Sequence, residues 1–250
     1  MNSNIPKEEL NRLKGLGFLS NRGGSTFSAR VVTGNGCLTP AQFRHIAEAA
    51  ERFGNGSIAM TTRLSVELPG IPYEQIGACI AFLAEGGFET GGTGKRVRPI
   101  VCCKGTVCAH GLLDSFGIAK EMHLRFYKGY HDIVLPNKFK IAVGGCPNNC
   151  VKPSLNDVGV MGWHGGYRIT IGGRWGKQQA IGRMLETVYE TKEAMMDTVE
   201  KAILLFKDQG RDGERFCQTI ERIGFEQAEA ALNSDDLLRR KQEILDKKTL

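Results

Sequence analysis

The first third of the chain alternates between segments with a period of two and segments with a helical period. Alternation over residues 27–32 predicts a strand, and the motif Thr39-Pro40-Ala-Gln42 begins a helix as a capping box with proline at the first helical position. Alternation over residues 57–68 predicts a second strand, and a second helix is predicted over residues 72–85. Two helices on a small sheet form a compact α+β unit.

The rest of the chain has the same two periods, with longer helical segments toward the carboxyl end. The elements predicted there are a helix over 106–126, a strand over 138–143, a hairpin of 158–163 and 167–171, a long helix over 180–208, and two helices over 214–223 and 235–245. Residues 1–24 combine a short amphipathic helix with a Gly- and Ser-rich connection and are expected to form an arm. We therefore expect an arm at 1–24, a first unit at 25–90 and a second at 91–250.

The predicted strand over 138–143 places two positive charges side by side. Period-two geometry puts Lys138 and Lys140 on one face, with Phe139 on the other. Such a pair is either an ordinary solvated sheet surface or a clamp around a bound anion. Because the strand leads directly to Cys146, the clamp interpretation places the two lysines and the nearby cysteines in one pocket.

Cysteines supply the strongest chemical signal in the chain. Of eight cysteines, five lie in two groups, Cys102-Cys103-Lys-Gly-Thr-Val-Cys108 and Cys146-Pro-Asn-Asn-Cys150. Nothing indicates secretion, because the amino end lacks the apolar segment of a signal peptide, so disulfides are not expected. The spacing alone leaves zinc open, whether the first pair is counted from Cys102 or from Cys103. Cys37, Cys79 and Cys217 lie in apolar patterns and are interpreted as packing residues.

The surroundings of the two cysteine groups favour an iron–sulfur cluster over zinc. Thr106 is a suitable N-cap for the predicted helix that follows, and Pro147 is suited to open a helical turn. Free N–H groups and the positive end of a helix dipole stabilise a negatively charged thiolate cluster. Cys103 is either a neighbouring thiol or, with the register shifted by one residue, the ligand in place of Cys102.

The charge of the chain points to anions rather than to nucleic acid. The net charge is +6, but the basic residues are dispersed and no nucleic-acid-binding motif accompanies them. A moderately positive field suits an anionic substrate, a carboxylate-rich cofactor and an acidic electron donor. No segment is apolar enough to span a membrane, so a cytoplasmic protein is expected.

Taken in order, these motifs resemble the sirohaem-dependent sulfite and nitrite reductases. The resemblance covers residues 25–175, and it is carried by Cys-x5-Cys, Cys-Pro-Asn-Asn-Cys, Arg98-Pro-Ile-Val, Lys138-Phe-Lys140, Thr61-Thr-Arg63 and Ser28-Ala-Arg30. It implies an α+β fold in which a ferredoxin-like half-domain is followed by a nitrite/sulfite reductase 4Fe-4S domain with a helical C-terminal extension. The implied reaction is the six-electron reduction of sulfite to sulfide or of nitrite to ammonia.

The resemblance also implies a role for each matching residue. A [4Fe–4S] cluster would be held by Cys102, Cys108, Cys146 and Cys150, with Cys150 bridging to the sirohaem iron. The anion's oxygens would be held by Arg30 and Arg98, while Lys138 and Lys140 would bind the anion and supply protons. Cofactor carboxylates would be bound by Arg63, Lys152 and Arg174. His164 is interpreted as a turn residue rather than an iron ligand.

Two departures from the family pattern lead to further expectations. Ala59 stands where larger relatives carry a basic residue, so carboxylate neutralisation is expected to differ there or to involve Arg174. Larger relatives contain the repeat twice, whereas this chain has one copy with both the cations and the cysteines. We therefore expect a homodimer with composite sites.

Electrons must come from another protein, because the chain has no flavin, nicotinamide or second ferredoxin-like motif. The expected donor is a ferredoxin or a flavoprotein. The competing interpretation is a cluster-only electron carrier without sirohaem. That alternative accounts for the cysteines but leaves the arginines and lysines of the motifs unexplained.

Overall fold

The computed structural model describes residues 5–247. The chain divides into two compact units, the first ending at Gly94 and the second beginning at Lys95. Each unit has its own sheet and its own hydrophobic core. Within the described residues, no helix has the length and apolar character needed to cross a membrane.

The first unit combines an antiparallel sheet with three helices. Its strands are β1 (Phe18–Ser20), β2 (Phe27–Val32), β3 (Ala59–Met60), β4 (Val66–Ile71) and β5 (Glu89–Thr90), and its helices are α1 (Lys7–Gly15), α2 (Pro40–Phe53) and α3 (Ile76–Glu85). The strand order is β1-β2-β4-β3, and β5 also pairs with β2. The predicted capping box of α2 is present, since the Gln42 N–H donates to Thr39 Oγ1 and the Thr39 N–H donates to Gln42 Oε1.

Residues 5–24 pack into the first unit and do not form a separate arm. Strand β1 pairs with β2 along three residues, and Leu13 and Phe18 are buried in the same core as α2 and α3. The Gly- and Ser-rich composition of the connection therefore marks only the turn between β1 and β2. The apolar residues on either side bind the segment to the unit.

The strand predicted over residues 57–68 is instead a hairpin. Strands β3 and β4 pair antiparallel, and the Thr61 N–H donates to the carbonyl of Ser65 across the turn. The hydroxyls of Thr61 and Ser65 are also hydrogen-bonded, at 2.8 Å, and Leu64 adopts a left-handed conformation with φ 60°. The period-two pattern continues through the turn, so periodicity alone does not reveal the reversal. As a result, Arg63 lies in a turn and not on a strand face.

The second unit contains a mixed sheet covered by helices. Its strands are β6 (Val101–Cys102), β7 (Ile141–Gly144), β8 (Val158–Trp163), β9 (Gly166–Ile171) and β10 (Arg183–Met184), and its helices are α4 (Ser115–Met122), α5 (Lys192–Gln209), α6 (Phe216–Ile223), α7 (Phe225–Asn233), α8 (Asp236–Arg239) and α9 (Lys241–Asp246). Strands β6, β7 and β8 are parallel, whereas β9 and β10 continue the sheet antiparallel. The predicted hairpin of β8 and β9 is confirmed.

Two predicted helices of the second unit are shorter than their sequence patterns suggest. The helix predicted from residue 106 begins only at Ser115, the first residue of α4, where the Asp114 side chain accepts the Gly117 N–H. The helix predicted from residue 180 begins at α5, where Thr191 is the N-cap, and residues before it form β10 and loops. Ile181, which lies within the predicted helix, is 79% exposed. The apolar residues of this loop have the spacing of a helix, but the segment is not helical.

The helices at the carboxyl end are joined by a buried carboxylate. Glu200 on α5 is 2% exposed, and it accepts hydrogen bonds from Tyr130 Oη at 2.6 Å, from Lys241 Nζ at 2.6 Å and from Arg125 Nε at 3.0 Å. The last helix, α9, is attached to α5 through this network by its first residue, Lys241, and its Ile244 is fully buried.

Replacing Glu200 with glutamine is expected to lower the free energy of unfolding by about 2 kcal/mol, because three donors lose their charged acceptor. The cost stays below that of a fully buried pair because Arg125 and Lys241 are partly exposed and can bind water. Urea denaturation followed by circular dichroism would measure the change. Glu193→Gln, an exposed substitution on the same helix, is the control, and equal midpoints for the two variants would contradict the prediction.

Candidate metal centre

The parallel strands β6 and β7 bring the two cysteine groups to one edge of the sheet. Cys102 ends β6 and pairs with Val143 on β7, whose last residue is Gly144. Because the two strands run in the same direction, the loops that follow them leave the sheet at the same edge. One loop contains Cys103 and Cys108, and the other contains Cys146 and Cys150. The sheet therefore joins groups that are about forty residues apart in sequence.

The two cysteine loops are in direct backbone contact through a pair of glycines. A Cβ atom on Gly105 would lie 2.7 Å from the Cα of Gly145, and a Cβ on Gly145 would lie 2.6 Å from the Cα of Gly105. Both distances are too short for any other residue at either position. The Leu112 N–H also donates to the Gly145 carbonyl at 2.8 Å, so the contact is fixed from both loops.

Replacing Gly145 with alanine is expected to push the loops apart and reduce the iron content of the purified protein, without removing a thiol. Iron and acid-labile sulfide per chain would be measured, together with the melting temperature. Gly176→Ala is the matched control, since a Cβ at Gly176 meets no atom within 4 Å. Wild-type iron content in Gly145→Ala would show that the glycine contact is not needed to hold the cluster.

The thiols differ in their surroundings. Cys102 is 4% exposed and packs in the hydrophobic core, whereas Cys150 is exposed. Cys103, Cys108 and Cys146 are partly buried, and Cys103 Sγ accepts the Gly145 N–H at 3.0 Å. The Cys103 thiol therefore lies at the contact between the two loops. This contact is compatible with either of the two roles that the sequence leaves open for it.

Among residues 5–247, no three His, Cys, Asp or Glu side chains converge as they would around one metal ion. A tetrahedral zinc site requires such convergence. Each thiolate of a four-iron cluster binds a different iron, so those ligands do not need to meet at one point. Cys102 at the end of β6, together with Cys108, Cys146 and Cys150 on the two touching loops, offers the four thiolates that such a cluster requires.

The prediction that both cysteine groups lie at helix starts is wrong. Cys108 follows a short 3-10 turn, Gly105–Val107, and Pro147 lies in a turn that does not become a helix. Thr106 is not the N-cap of a helix next to Cys108. Its hydroxyl instead donates to Asp114 Oδ1 at 2.7 Å and accepts the Phe116 N–H at 2.9 Å, which ties the first cysteine loop to α4.

A cleft of about 370 Å³ lies beside the second cysteine loop. Cys146 lines it together with His110 and His164. His164 belongs to the turn between β8 and β9, where the sequence predicted it. Its position beside Cys146 was not expected, because the turn and the cysteine loop are adjacent only through the pairing of β7 with β8.

The second unit also contains a group of positive charges around Lys138. The Arg98 N–H donates to the Phe139 carbonyl at 2.8 Å, so Arg98 lies beside the segment that carries Lys138 and Lys140. Phe139 faces the core, which confirms the predicted alternation of the segment. Burial lowers the pKa of the Lys138 ammonium, and the positive charges of Arg215 and Arg98 lower it further. A lysine with a lowered pKa donates a proton more readily than an ordinary lysine.

Lys138 and Lys140 lie at the opposite end of β7 from the second cysteine loop of the same chain. The lysines precede β7 and the second cysteine loop follows it. With an extended rise of about 3.3 Å per residue, Lys140 and Gly145 are roughly 16 Å apart. The sequence pattern does not reveal this separation, because residues close in sequence are far apart when the chain between them is fully extended.

Two predicted site residues, Arg30 and Arg63, belong to the first unit. Arg30 lies on β2 opposite Glu67 on β4, and its guanidinium donates to Glu67 Oε1 at 2.6 and 3.0 Å. A third hydrogen bond reaches the Gly92 carbonyl at 3.3 Å. Arg30 is therefore held in a defined orientation by a carboxylate. Arg63 is half-buried in the turn between β3 and β4, with its N–H donating to Thr61 Oγ1.

The remaining predicted cofactor-binding residues belong to the second unit. Lys152 is exposed, adopts a left-handed conformation with φ 51° and follows Cys150 by two residues. Arg174 is half-buried, and its backbone pairs with Ala180 in both directions. Its positive charge also contributes to lowering the Lys138 pKa, which is lowered first by burial. Arg174 therefore belongs to the charges around Lys138. We call these residues, Lys138, Arg98, Asp157, Arg174 and Arg215, the Lys138 charge group.

Four residues at this centre were missed from the sequence. Gly105 and Gly145 were not recognised, although glycine beside a cysteine motif is a signal of close backbone approach. Asp157 and Arg215 form a buried ion pair beside the lysine segment. An acidic residue directly before an apolar strand is a weak sign of a buried carboxylate, but nothing in the sequence identifies its partner, which is far along the chain.

Two family profiles match the chain. The profile for the nitrite and sulphite reductase 4Fe-4S domain matches residues 93–238, and the profile for the nitrite/sulfite reductase ferredoxin-like half domain matches residues 20–86. The first covers more than half of the chain. Both cysteine groups and the Lys138 charge group lie within it.

Curated relatives include both sulfite and nitrite reductases. The chain is 34% identical over 148 residues to the coenzyme F420-dependent sulfite reductase of Methanocaldococcus jannaschii, which covers 58% of this chain and 23% of that protein. It is 27% identical over 215 residues to the NAD(P)H nitrite reductase of Bacillus subtilis, covering 84% and 26%. It is 34% identical over 131 residues to the assimilatory-type sulfite reductase of Nitratidesulfovibrio vulgaris, covering 52% and 58%. The chain thus spans less than two thirds of each of these relatives, and only about a quarter of the first two.

Solved structures share the fold. The Mycobacterium tuberculosis NirA protein matches with a TM-score of 0.82 at 19% identity, covering 94% of this chain and 48% of that one. Dissimilatory sulfite reductase I matches with a TM-score of 0.75 at 15% identity, covering 85% and 70%. The predicted fold class, a ferredoxin-like half-domain followed by a 4Fe-4S domain with C-terminal helices, is confirmed.

Proposed function

Because the chain belongs to the family of nitrite and sulfite reductases, we propose that it reduces sulfite to sulfide with a [4Fe–4S] cluster coupled to sirohaem. The family assignment supports an iron–sulfur cluster. The observation that carries the proposal is the backbone contact of the two cysteine loops at Gly105 and Gly145, in a chain that also gathers cations around Lys138. A cluster-only electron carrier needs the first feature but has no use for the second.

The residues of the chain would perform the binding and proton steps. Conversion of hydrogen sulfite to hydrogen sulfide ion consumes six electrons and six protons and releases three waters. When bound, sirohaem would supply the iron that holds the anion, and the cluster would supply electrons. Arg30 and Arg98 would bind the anion's oxygens, and Lys138 and Lys140 would bind it and donate protons at Nζ, since lysine releases a proton far more readily than arginine.

Cofactor binding would use further cations. Arg63, Lys152 and Arg174 would neutralise the cofactor's carboxylates, and four thiolates, from Cys102, Cys108, Cys146 and Cys150, would hold the cluster. In the Lys138 charge group, the cations outnumber the one buried carboxylate, that of Asp157. This excess of positive charge suits an anionic cofactor and an anionic substrate.

We also propose that two chains form a homodimer with composite sites. The length of β7 supports this arrangement, because it separates Lys138 and Lys140 from the cysteine loops of the same chain. A complete site would take cations from one chain and thiolates from the other, and the symmetry of a dimer would create two such sites.

Mixed dimers would test the composite arrangement. One chain would carry Cys150→Ser, and the other would carry Lys138→Ala together with Lys140→Ala. Composite sites predict that mixed dimers regain activity, because one of their two sites receives intact cations and intact thiolates. Inactive mixed dimers, with mixing verified by two affinity tags, would count against shared sites.

Electrons would come from a separate protein, such as a ferredoxin or a flavoprotein. Nitrite reduction is the second candidate activity, because a nitrite reductase matches 84% of the chain. Turnover of sulfite and of nitrite with a chemical reductant in the same preparation would separate the two activities.

The first experiment is a visible absorption spectrum of the anaerobically purified protein, combined with extraction of the pigment into acidified acetone. An extractable isobacteriochlorin, together with about four further irons per site, is the expected result. Cluster absorption without pigment, even when sirohaem is supplied during expression, would favour the electron carrier.

A further inference from the structure

Asp157 and Arg215 form a buried ion pair behind the segment that carries the two lysines. Asp157 is fully buried and the Arg215 side chain is 5% exposed. The Arg215 guanidinium donates to both carboxylate oxygens of Asp157 at 2.9 Å. Such a pair is costly to bury and is held only by good geometry, so it marks a position where the chain needs these charges or their hydrogen bonds.

The pair is tied to the lysine segment by a backbone hydrogen bond. Asp157 Oδ2 accepts the Lys140 N–H at 2.9 Å, and the Val158 N–H donates to the Lys140 carbonyl at 3.0 Å. Both backbone groups of Lys140 are therefore bound by Asp157 and its neighbour. The backbone from which the Lys140 side chain extends is thus held in place before any anion binds.

The residue that follows Arg215 holds the same segment through its core face. Phe216 packs against Phe139 with ring centroids 5.2 Å apart, and both rings contact Phe206. The start of α6 thus contacts the segment twice, once through the ion pair and once through the aromatic rings. A helix near the carboxyl end of the chain is in this way attached to the segment that carries the lysines.

We propose that Arg215, paired with Asp157, is a positioning residue of the anion site: it fixes the segment carrying Lys138 and Lys140 and keeps a second positive charge beside the Lys138 ammonium. The proposal rests on the proposed role of these lysines in binding and protonating the anion. It extends the site into the C-terminal helices, to which neither the motifs nor the resemblance assigned a role.

The charges around Lys138 are consistent with this role. Burial is the first cause that lowers the Lys138 pKa, followed by the positive charges of Arg215, Arg98 and Arg174, while the Asp157 carboxylate acts in the opposite direction. Because Arg215 neutralises Asp157 and also repels the Lys138 ammonium, its removal acts twice in the same direction. Without Arg215, the Lys138 proton is held more tightly.

The test is the pH dependence of Lys138 acetylation in the intact purified protein, measured by mass spectrometry at a series of pH values. Only the deprotonated amine reacts, so the midpoint of the rate profile reports the Lys138 titration. Arg215→Gln is expected to move this midpoint to higher pH. The exposed Lys177 provides an internal reference whose midpoint stays constant.

The matched control is Arg222→Gln. Arg222 lies on the same helix as Phe216 and is paired with Glu214, with Nε donating to Oε1 at 3.0 Å. Its loss weakens the attachment of α6 without touching the lysine segment, so the Lys138 midpoint is expected to stay at its wild-type value. Equal shifts in both variants would show that Arg215 is only an ordinary structural contact. The proposal would also be overturned if the Lys138 midpoint of a folded Arg215→Gln protein did not move.

If Arg215→Gln does not fold, the double variant Asp157→Asn, Arg215→Gln replaces the ion pair by two amides of similar shape. The Lys138 midpoint is again expected to rise, because Arg215 acts on Lys138 more strongly than Asp157 does. An unchanged midpoint in the folded double variant would also overturn the proposal. Reductase activity of Lys138→Ala is a separate measurement: full activity there would remove the proposed role of the lysine and leave the acetylation result intact.

Discussion

Serine in place of Cys146 or Cys150 is expected to abolish the iron–sulfur cluster and reduce turnover to background. A serine hydroxyl does not ionise at neutral pH and is a poor ligand for iron, so each substitution removes one corner of the cluster. The same loss is expected for Cys102→Ser and Cys108→Ser. Iron, acid-labile sulfide and visible absorption of anaerobically purified protein would be measured together with sulfite reduction.

Two further cysteine variants make this experiment decisive for the first cysteine loop. Cys217→Ser, on α6 and outside both loops, is the control and is expected to retain its iron. Cys103→Ser is expected to retain the cluster, because the hydroxyl can still accept the Gly145 N–H. If Cys103→Ser loses the cluster while Cys102→Ser keeps it, the ligand is Cys103 and the register of the motif shifts by one residue.

Replacing Lys138 with methionine is expected to lower the rate of the proposed sulfite reduction by about a hundredfold, the usual effect of losing a positioned proton donor. Methionine keeps the length of the side chain while removing its charge and its protons. Lys138→Arg separates these contributions, because arginine keeps the charge but does not release a proton. We expect Lys138→Arg to preserve KM for sulfite better than kcat.

Steady-state kinetics with a chemical electron donor would measure these effects, and Lys140→Met would be tested in parallel. Lys177→Met, at an exposed lysine of the same unit, is the control. A Lys138→Met protein with an intact cluster and wild-type kcat would exclude the side chain from proton delivery. Restoration of kcat by arginine would show that charge, and not proton transfer, is what the position supplies.

The sequence predicted the elements that depend on local signals. The prediction of helix α2 was correct because a capping box and a proline define its start. The prediction of the β8–β9 hairpin was correct because glycines interrupt two strongly alternating segments. The lysine face of the segment before β7 followed directly from alternation about Phe139. In each case, the residues that determine the structure are neighbours in the chain.

Predictions failed where distant residues determine the outcome. Thr106 has the sequence of an N-cap, but its hydroxyl binds Asp114 and Phe116 in the folded chain. Helix α7, which was missed, is short and packs against α5 and α6 in the core of the unit. The Asp157–Arg215 pair joins residues 58 positions apart, so no local pattern identifies it. Tertiary contacts override local propensity at such positions.

The segment with lysines on one face and Phe139 on the other constrains how related sequences can diverge. Insertion or deletion of one residue before β7 would exchange the two faces, burying a lysine and exposing the phenylalanine. Homologues are therefore expected to conserve the length of this segment. The exposed loop at residues 175–179 is under no such restriction, and length variation should accumulate there instead.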